Sequence, residues 1–181
     1  MNLANKITIA RILLIPILIL IFEHVSSYGT YYAATVFLLA SATDKLDGYI
    51  ARKYNQITKL GKLLDPLADK LLISTALILL VSQQLVFAWI AFIIIAREII
   101  ITGIRVVASS QQIILQADRH GKIKMVFQVA AIVAILLNHG PFRFPTDLPI
   151  DQILLGIAFI LTVYSGLSYI KNNYRALKLH T

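Results

Sequence analysis

Six long apolar stretches, at roughly 8–24, 31–50, 63–82, 86–108, 123–139 and 152–170, fill most of this 181-residue chain and leave only short connections between them. A soluble domain is about 45–50% apolar and about 25% charged. Here 58% of the residues are hydrophobic, 14% are charged and the mean hydropathy is +0.77. That balance excludes an ordinary soluble domain and, more strongly, a disordered chain. A membrane-crossing helix takes about 20 residues, so six of them leave no room for a separate soluble domain. Backbone polar groups inside a bilayer must be satisfied within the segment, which makes each stretch a helix. The expected fold is all-α: a polytopic membrane protein with a six-transmembrane-helix bundle as a single domain over 1–181. Lys6 and Arg11 ahead of the first apolar run would also suit a signal-peptide core, but the cleavage site would be poor.

The connections alternate in charge. Arg52, Lys53, Lys59 and Lys62 fall in 51–62, Arg119 and Lys122 in 109–122, and Lys171, Arg175 and Lys178 in the tail. Segments 24–30 and 83–87 have no Lys or Arg, and 140–151 has Arg143 alone beside Asp147 and Asp151. By the positive-inside rule the chain is a multi-pass protein of the cell membrane with both termini and the two basic connections in the cytoplasm. The net charge of +8 would suggest nucleic acid on a soluble protein. In so apolar a chain it speaks for topology and anionic membrane lipids, with no nucleic-acid partner. There is no cysteine, and the four histidines are too scattered for a zinc site.

Nine acidic residues remain to be explained, and Asp44, Asp47, Asp65 and Asp69 fall close together. A helix turns about 100° per residue, so Asp44, Asp47, Gly48 and Ala51 share one face of the second helix. Asp65 and Asp69 share a face of the third. A short connection makes these helices antiparallel neighbours, which lets the four carboxylates converge near the cytoplasmic end. Such a group cannot all stay ionised in a poorly solvated place without a cation. All-oxygen ligands suit Mg²⁺ or Mn²⁺, and one or two such ions could hold a diphosphate. Gly48 and Ala51 would let a ligand approach the backbone, and Arg52 offers a fork for phosphate. Plainer readings exist: Asp65 before Pro66 suits a helix N-cap, and Asp44 could pair with Lys45.

The run Asp44-x2-Asp47-Gly48-x2-Ala51-Arg52-x8-Gly61-x3-Asp65-x3-Asp69 resembles the complete signature of the CDP-alcohol phosphotransferase family. The resemblance implies that the four aspartates bind a two-metal centre and that Asp69 is also the general base. It implies that Gly48, Arg52 and Thr58 contact the CDP moiety, with Ala51 on the nucleotide side and Gly61 shaping the loop. It also implies attack of a hydroxyl on the β-phosphorus of a CDP-linked lipid, release of CMP, and a homodimer. From the residues alone, only Ser165 and Gly166, with Tyr164 and Tyr169 nearby, point to packing against a second copy.

The signature leaves the acceptor open. Glu98, Thr102 and Arg105 fall on one face of the fourth helix, Arg97 sits about mid-span, and Arg119, Lys122 and Lys124 open the fifth. A cationic patch of Arg97, Arg105, Arg119, Lys122 and Lys124 suits an acceptor that itself carries phosphate, such as glycerol 3-phosphate or inositol 1-phosphate. The alternatives are an internal Arg97–Glu98 pair and simple positive-inside anchoring by the lysines. The segments Asn5 to Arg11, Asp65 to Lys70, Arg97 to Arg105 and Gly121 to Lys124 resemble bacterial phosphatidylglycerophosphate synthases. That likeness implies CDP-diacylglycerol and glycerol 3-phosphate as substrates. Asn5, Thr8 and Arg11 could line the nucleotide end, or the first helix could be a plain anchor. Rival functions are a sister enzyme making cardiolipin or a phosphoinositide, a cation channel or transporter with carboxylates along its path, and a non-catalytic scaffold.

Overall fold

A computed structural model describes residues 3–24, 28–53, 59–111, 119–140 and 148–178, with side chains over 7–23, 28–43, 64–111, 121–140 and 148–174. The described residues form six helices and no strand: α1 (Leu3–His24), α2 (Gly29–Lys53), α3 (Lys59–Ser82), α4 (Ala88–Ser110), α5 (Arg119–Asn138) and α6 (Ile150–Lys178). Each expected apolar stretch lies within or closely overlaps one helix. Among the described residues, Gly121–Asn138 and Ile150–Tyr174 are long and apolar enough to cross a membrane.

Each helix buries one stripe at the helical period. On α1 it is Thr8, Arg11, Ile15 and Leu18, and on α2 Ala33, Ala34, Phe37 and Ala40. On α3 it is Ala68, Asp69, Leu72, Ile73, Ala76, Leu77 and Leu80, and on α4 Ala91, Ile94, Glu98 and Ile101. The stripes meet in one apolar core. Helix α1 packs on α2 and α3, α4 on α3 and α6, and α5 on α6 and α2. Small residues such as Ala33, Ala40, Ala68 and Ala158, each at 0% exposure, let the helix axes approach closely. The outer faces carry large apolar side chains, among them Phe92, Ile99, Ile160 and Leu167.

The structure departs from the sequence reading at three helix ends. Helix α3 begins at Lys59 and runs through Pro66, so Asp65 lies inside the helix and is not its N-cap. Pro66 has no N–H to offer the carbonyl one turn earlier, and its ring crowds that carbonyl. Asp151, expected in an outer connection, is the second residue of α6 and is buried. An acid in the first turn is favoured there by the free N–H groups and the helix dipole. Helix α6 also continues to Lys178, well beyond 170. Its polar tail stays helical in part because Asn173 is buried on the same face as Tyr169 and donates to the Tyr169 carbonyl at 2.9 Å.

The turn from α3 to α4 sets the register of those two helices. Gln84 adopts φ 60°, its N–H bonds the Val81 carbonyl at 2.9 Å, and the Leu85 N–H bonds the Leu80 carbonyl at 2.9 Å. This is a Schellman closure, with Leu85 folding back towards the core. A left-handed conformation costs a residue with a Cβ about 1 kcal/mol relative to glycine. Gln84→Gly is therefore expected to stabilise the protein by about 1 kcal/mol, and Gln84→Val to destabilise it, as read by thermal unfolding in detergent.

Candidate active site

Counting away from the α3–α4 turn, Lys70 on α3 and Glu98 on α4 both lie roughly 15–18 Å along their helices at 1.5 Å per residue. Antiparallel packing brings them level. The Lys70 ammonium stands 2.6 Å from Glu98 Oε2 and 3.0 Å from Asp69 Oδ2, so one lysine bridges the two carboxylates. Glu98 is 3% exposed. Its Oε1 receives Arg97 Nη1 at 3.1 Å and also the ammonium of Lys124. Arg97 Nη2 continues to the Ser165 hydroxyl on α6 at 3.0 Å. Three cations thus surround two carboxylates. A carboxylate at this depth is tolerable only with such partners.

Asp65, one turn before Asp69, accepts a hydrogen bond from the fully buried Thr8 hydroxyl on α1 at 2.7 Å. Helix α2 packs on α1 and α3. Positions 44, 47, 48 and 51 follow at the helical period from its buried residues Ala33, Phe37 and Ala40. The backbone there is helical, but the side chains of Asp44, Asp47, Ala51 and Arg52 and the surroundings of Gly48 and Gly61 lie outside the described residues. Thr58 lies outside them altogether. Among the residues with described side chains, no three potential ligands form a metal cluster. Asp65 and Asp69 offer hard oxygen donors one helical turn apart, and that donor set fits Mg²⁺ or Mn²⁺.

The candidate acceptor residues divide into two groups. Arg97 and Lys124 join the buried Glu98 network. The internal Arg97–Glu98 pair entertained from sequence therefore exists, with Lys70 and Lys124 added to it. Arg105 lies apart and is exposed, with Nε 3.3 Å from the Tyr169 hydroxyl and its guanidinium 5.0 Å above that ring. The charge over the ring face and the hydroxyl contact together aim the guanidinium. Lys122 is exposed, and Arg119 opens α5 with its side chain outside the described residues.

Two parts of the sequence reading change. Ser165, Gly166 and Tyr169 are buried within the chain and are not free for a second copy. Gly166 packs against Arg97, where an added Cβ would stand 3.0 Å from Cγ. Tyr164 remains exposed. Lys70 was not singled out from sequence, although a cation inside an apolar helix always needs a counter-charge, and that was the available signal.

The described residues are all-helical, with a carboxylate pair on one helix face and an adjoining cationic network. The family model for CDP-alcohol phosphatidyltransferases matches residues 1–164, and the chain belongs to that family. It is 43% identical to the CDP-diacylglycerol–glycerol-3-phosphate 3-phosphatidyltransferase of Bacillus subtilis, over 98% of this chain and 97% of the relative. Proteins of the same name from Pseudomonas fluorescens and Escherichia coli are 38% and 32% identical, each over 93% of its own length and over 98% and 93% of this chain.

Removing the Glu98 carboxylate would leave Lys70, Arg97 and Lys124 facing one another. Glu98→Ala is expected to cost about 3 kcal/mol or more of stability. The double variant Glu98→Ala with Lys124→Met should unfold at a higher temperature than Glu98→Ala alone, measured by circular dichroism in detergent.

Proposed function

We propose that the chain is a membrane phosphatidyltransferase that converts CDP-diacylglycerol and sn-glycerol 3-phosphate to phosphatidylglycerophosphate and CMP, in phospholipid biosynthesis. The observation that carries this reading is the joining of Asp69, through Lys70, to a cation-rich network on α4 and α5. It puts a carboxylate beside positive charge in excess, and an acceptor bearing both a hydroxyl and a phosphate has a use for both. The full-length similarity to enzymes named for this reaction supports the choice of donor and acceptor.

In this reading Asp44, Asp47, Asp65 and Asp69 hold divalent metal, with Mg²⁺ or Mn²⁺ as the candidates and two ions as the expected number. Bound metal would hold the diphosphate of the donor and offset charge as the phosphate bond breaks. Gly48, Ala51, Arg52, Thr58 and Gly61 receive the CDP end. Asp69 accepts the proton of the acceptor hydroxyl, whose oxygen bonds to the β-phosphorus. The bond from that phosphorus to the bridging oxygen breaks, and CMP departs with the electron pair. Lys70 holds Asp69 Oδ2 at 3.0 Å and so fixes the carboxylate's orientation. Arg105 and Lys122, both exposed, can approach the acceptor phosphate directly. Arg97 and Lys124 supply field from the Glu98 network, and Arg119 lies at the start of α5.

The whole of 1–181 acts as one domain in this proposal. It crosses the cell membrane six times, with both termini and the site at the cytoplasmic face. The large apolar residues on the outer faces suit contact with lipid chains. A homodimer remains part of the proposal, with no support from Ser165, Gly166 or Tyr169.

CMP release from CDP-diacylglycerol in detergent micelles with glycerol 3-phosphate tests the reading. Asp69→Asn is expected to lower turnover by about 10³-fold, a loss in the range of a missing general base, while the protein unfolds at the wild-type temperature. Undiminished turnover in that variant would refute the assignment. Chelation of divalent metal should abolish release, and added Mg²⁺ or Mn²⁺ should restore it.

A further inference from the structure

Helix α1 carries none of the four aspartates, yet its buried face meets both helices that do. Thr8, at 0% exposure, donates to Asp65 Oδ1 at 2.7 Å. That is a normal hydrogen-bond distance between a hydroxyl and a carboxyl oxygen. Three residues on along the same face, Arg11 is 1% exposed with Nε 3.4 Å from the Thr43 hydroxyl on α2. Thr43 immediately precedes Asp44, and its own hydroxyl donates to the Ala40 carbonyl at 2.7 Å. The first helix thus holds α3 at one aspartate and α2 one residue before another. A plain membrane anchor has no need of two buried polar groups aimed in these directions, since apolar residues would pack there without hydrogen-bonding requirements.

A carboxylate on an exposed helix face rotates freely about its last bond. The Thr8 hydroxyl engages one oxygen of Asp65 and so fixes the direction in which the other is presented. We propose that Thr8 is a positioning residue for Asp65 as a metal ligand. This rests on the reading of Asp65 as a metal ligand given above.

The test is Mn²⁺ binding to the purified full-length protein in detergent, followed by calorimetry and by the loss of the free-ion electron-spin-resonance signal, so that no turnover is needed. Thr8→Val keeps the volume and removes the hydroxyl, whereas Thr8→Ser keeps the hydroxyl. The loss of a hydrogen-bonding partner behind a metal ligand typically weakens binding 10- to 100-fold, so Thr8→Val should bind Mn²⁺ about 10-fold more weakly and Thr8→Ser within about 2-fold of wild type. The metal-free melting temperatures should be alike. CMP release by Thr8→Val should recover as Mn²⁺ is raised. If Thr8→Val does not fold, Thr8→Ala is titrated against Thr8→Ser under the same criterion. Wild-type Mn²⁺ affinity in Thr8→Val, or equal weakening in Thr8→Val and Thr8→Ser, would overturn the positioning role. An Asp65→Asn control separates the two levels. If it binds Mn²⁺ as wild type does, the metal-ligand reading fails and the Thr8 role with it. If it binds weakly while Thr8→Val does not, only the Thr8 role fails.

Discussion

A carboxylate with 3% of its surface exposed, Glu98, is the constraint around which the helices are arranged. Burying such a charge costs several kcal/mol unless cations and donors surround it. Here they come from three helices: Lys70 on α3, Arg97 beside it on α4 and Lys124 on α5. Arg97 then reaches Ser165 and draws in α6. One acid therefore ties four helices in a fixed register. The local backbone conforms to it: the turn at Gln84 levels α3 with α4, and the bare backbone of Gly166 makes room for the Arg97 stem. Such a network adds little net stability over an apolar core, but it penalises every misregistered packing that would strand one of its charges.

The same network links side chains on either side of it. On one side α1 packs on α2 and α3, with Thr8 bonded to Asp65. On the other, α4 and α5 gather cations, and Arg105 is steadied by Tyr169 of α6. Lys70 stands between, touching Asp69 and Glu98 at once. In the proposed reaction this places the nucleotide-linked donor beside the aspartates and the phosphorylated acceptor beside the cations. The attacking hydroxyl would lie at the junction. A proton acceptor and an excess of positive charge are then neighbours without cancelling each other, because one lysine is shared by two carboxylates.

Much of this was legible in the sequence, and the reasons are specific. The six apolar runs were long enough that no other element could account for them, and all six are helices. The spacing of Asp65 and Asp69 defined a shared helical face before any partner was known. Helical period, however, says which residues share a face and not which helix lies opposite. The Thr8–Asp65 bond spans 57 positions of chain and the Arg97–Ser165 bond 68, and neither leaves a local mark. Asp65 looked like an N-cap because Pro66 follows it, and only the turn of helix formed from Lys59 onwards removes that reading. Ser165 and Gly166 looked like a surface for another chain because small residues favour close packing, but the neighbour they admit is Arg97 of the same chain.

Acceptor choice is the point at which the proposed chemistry is most exposed to test. Purified protein in mixed micelles with CDP-diacylglycerol and Mg²⁺ would be offered glycerol 3-phosphate, inositol 1-phosphate, serine and phosphatidylglycerol in turn, with CMP release followed for each. Rapid release with glycerol 3-phosphate and little with the other three is the expected result. Release with inositol 1-phosphate but not with glycerol 3-phosphate, or no release with any acceptor, would contradict it.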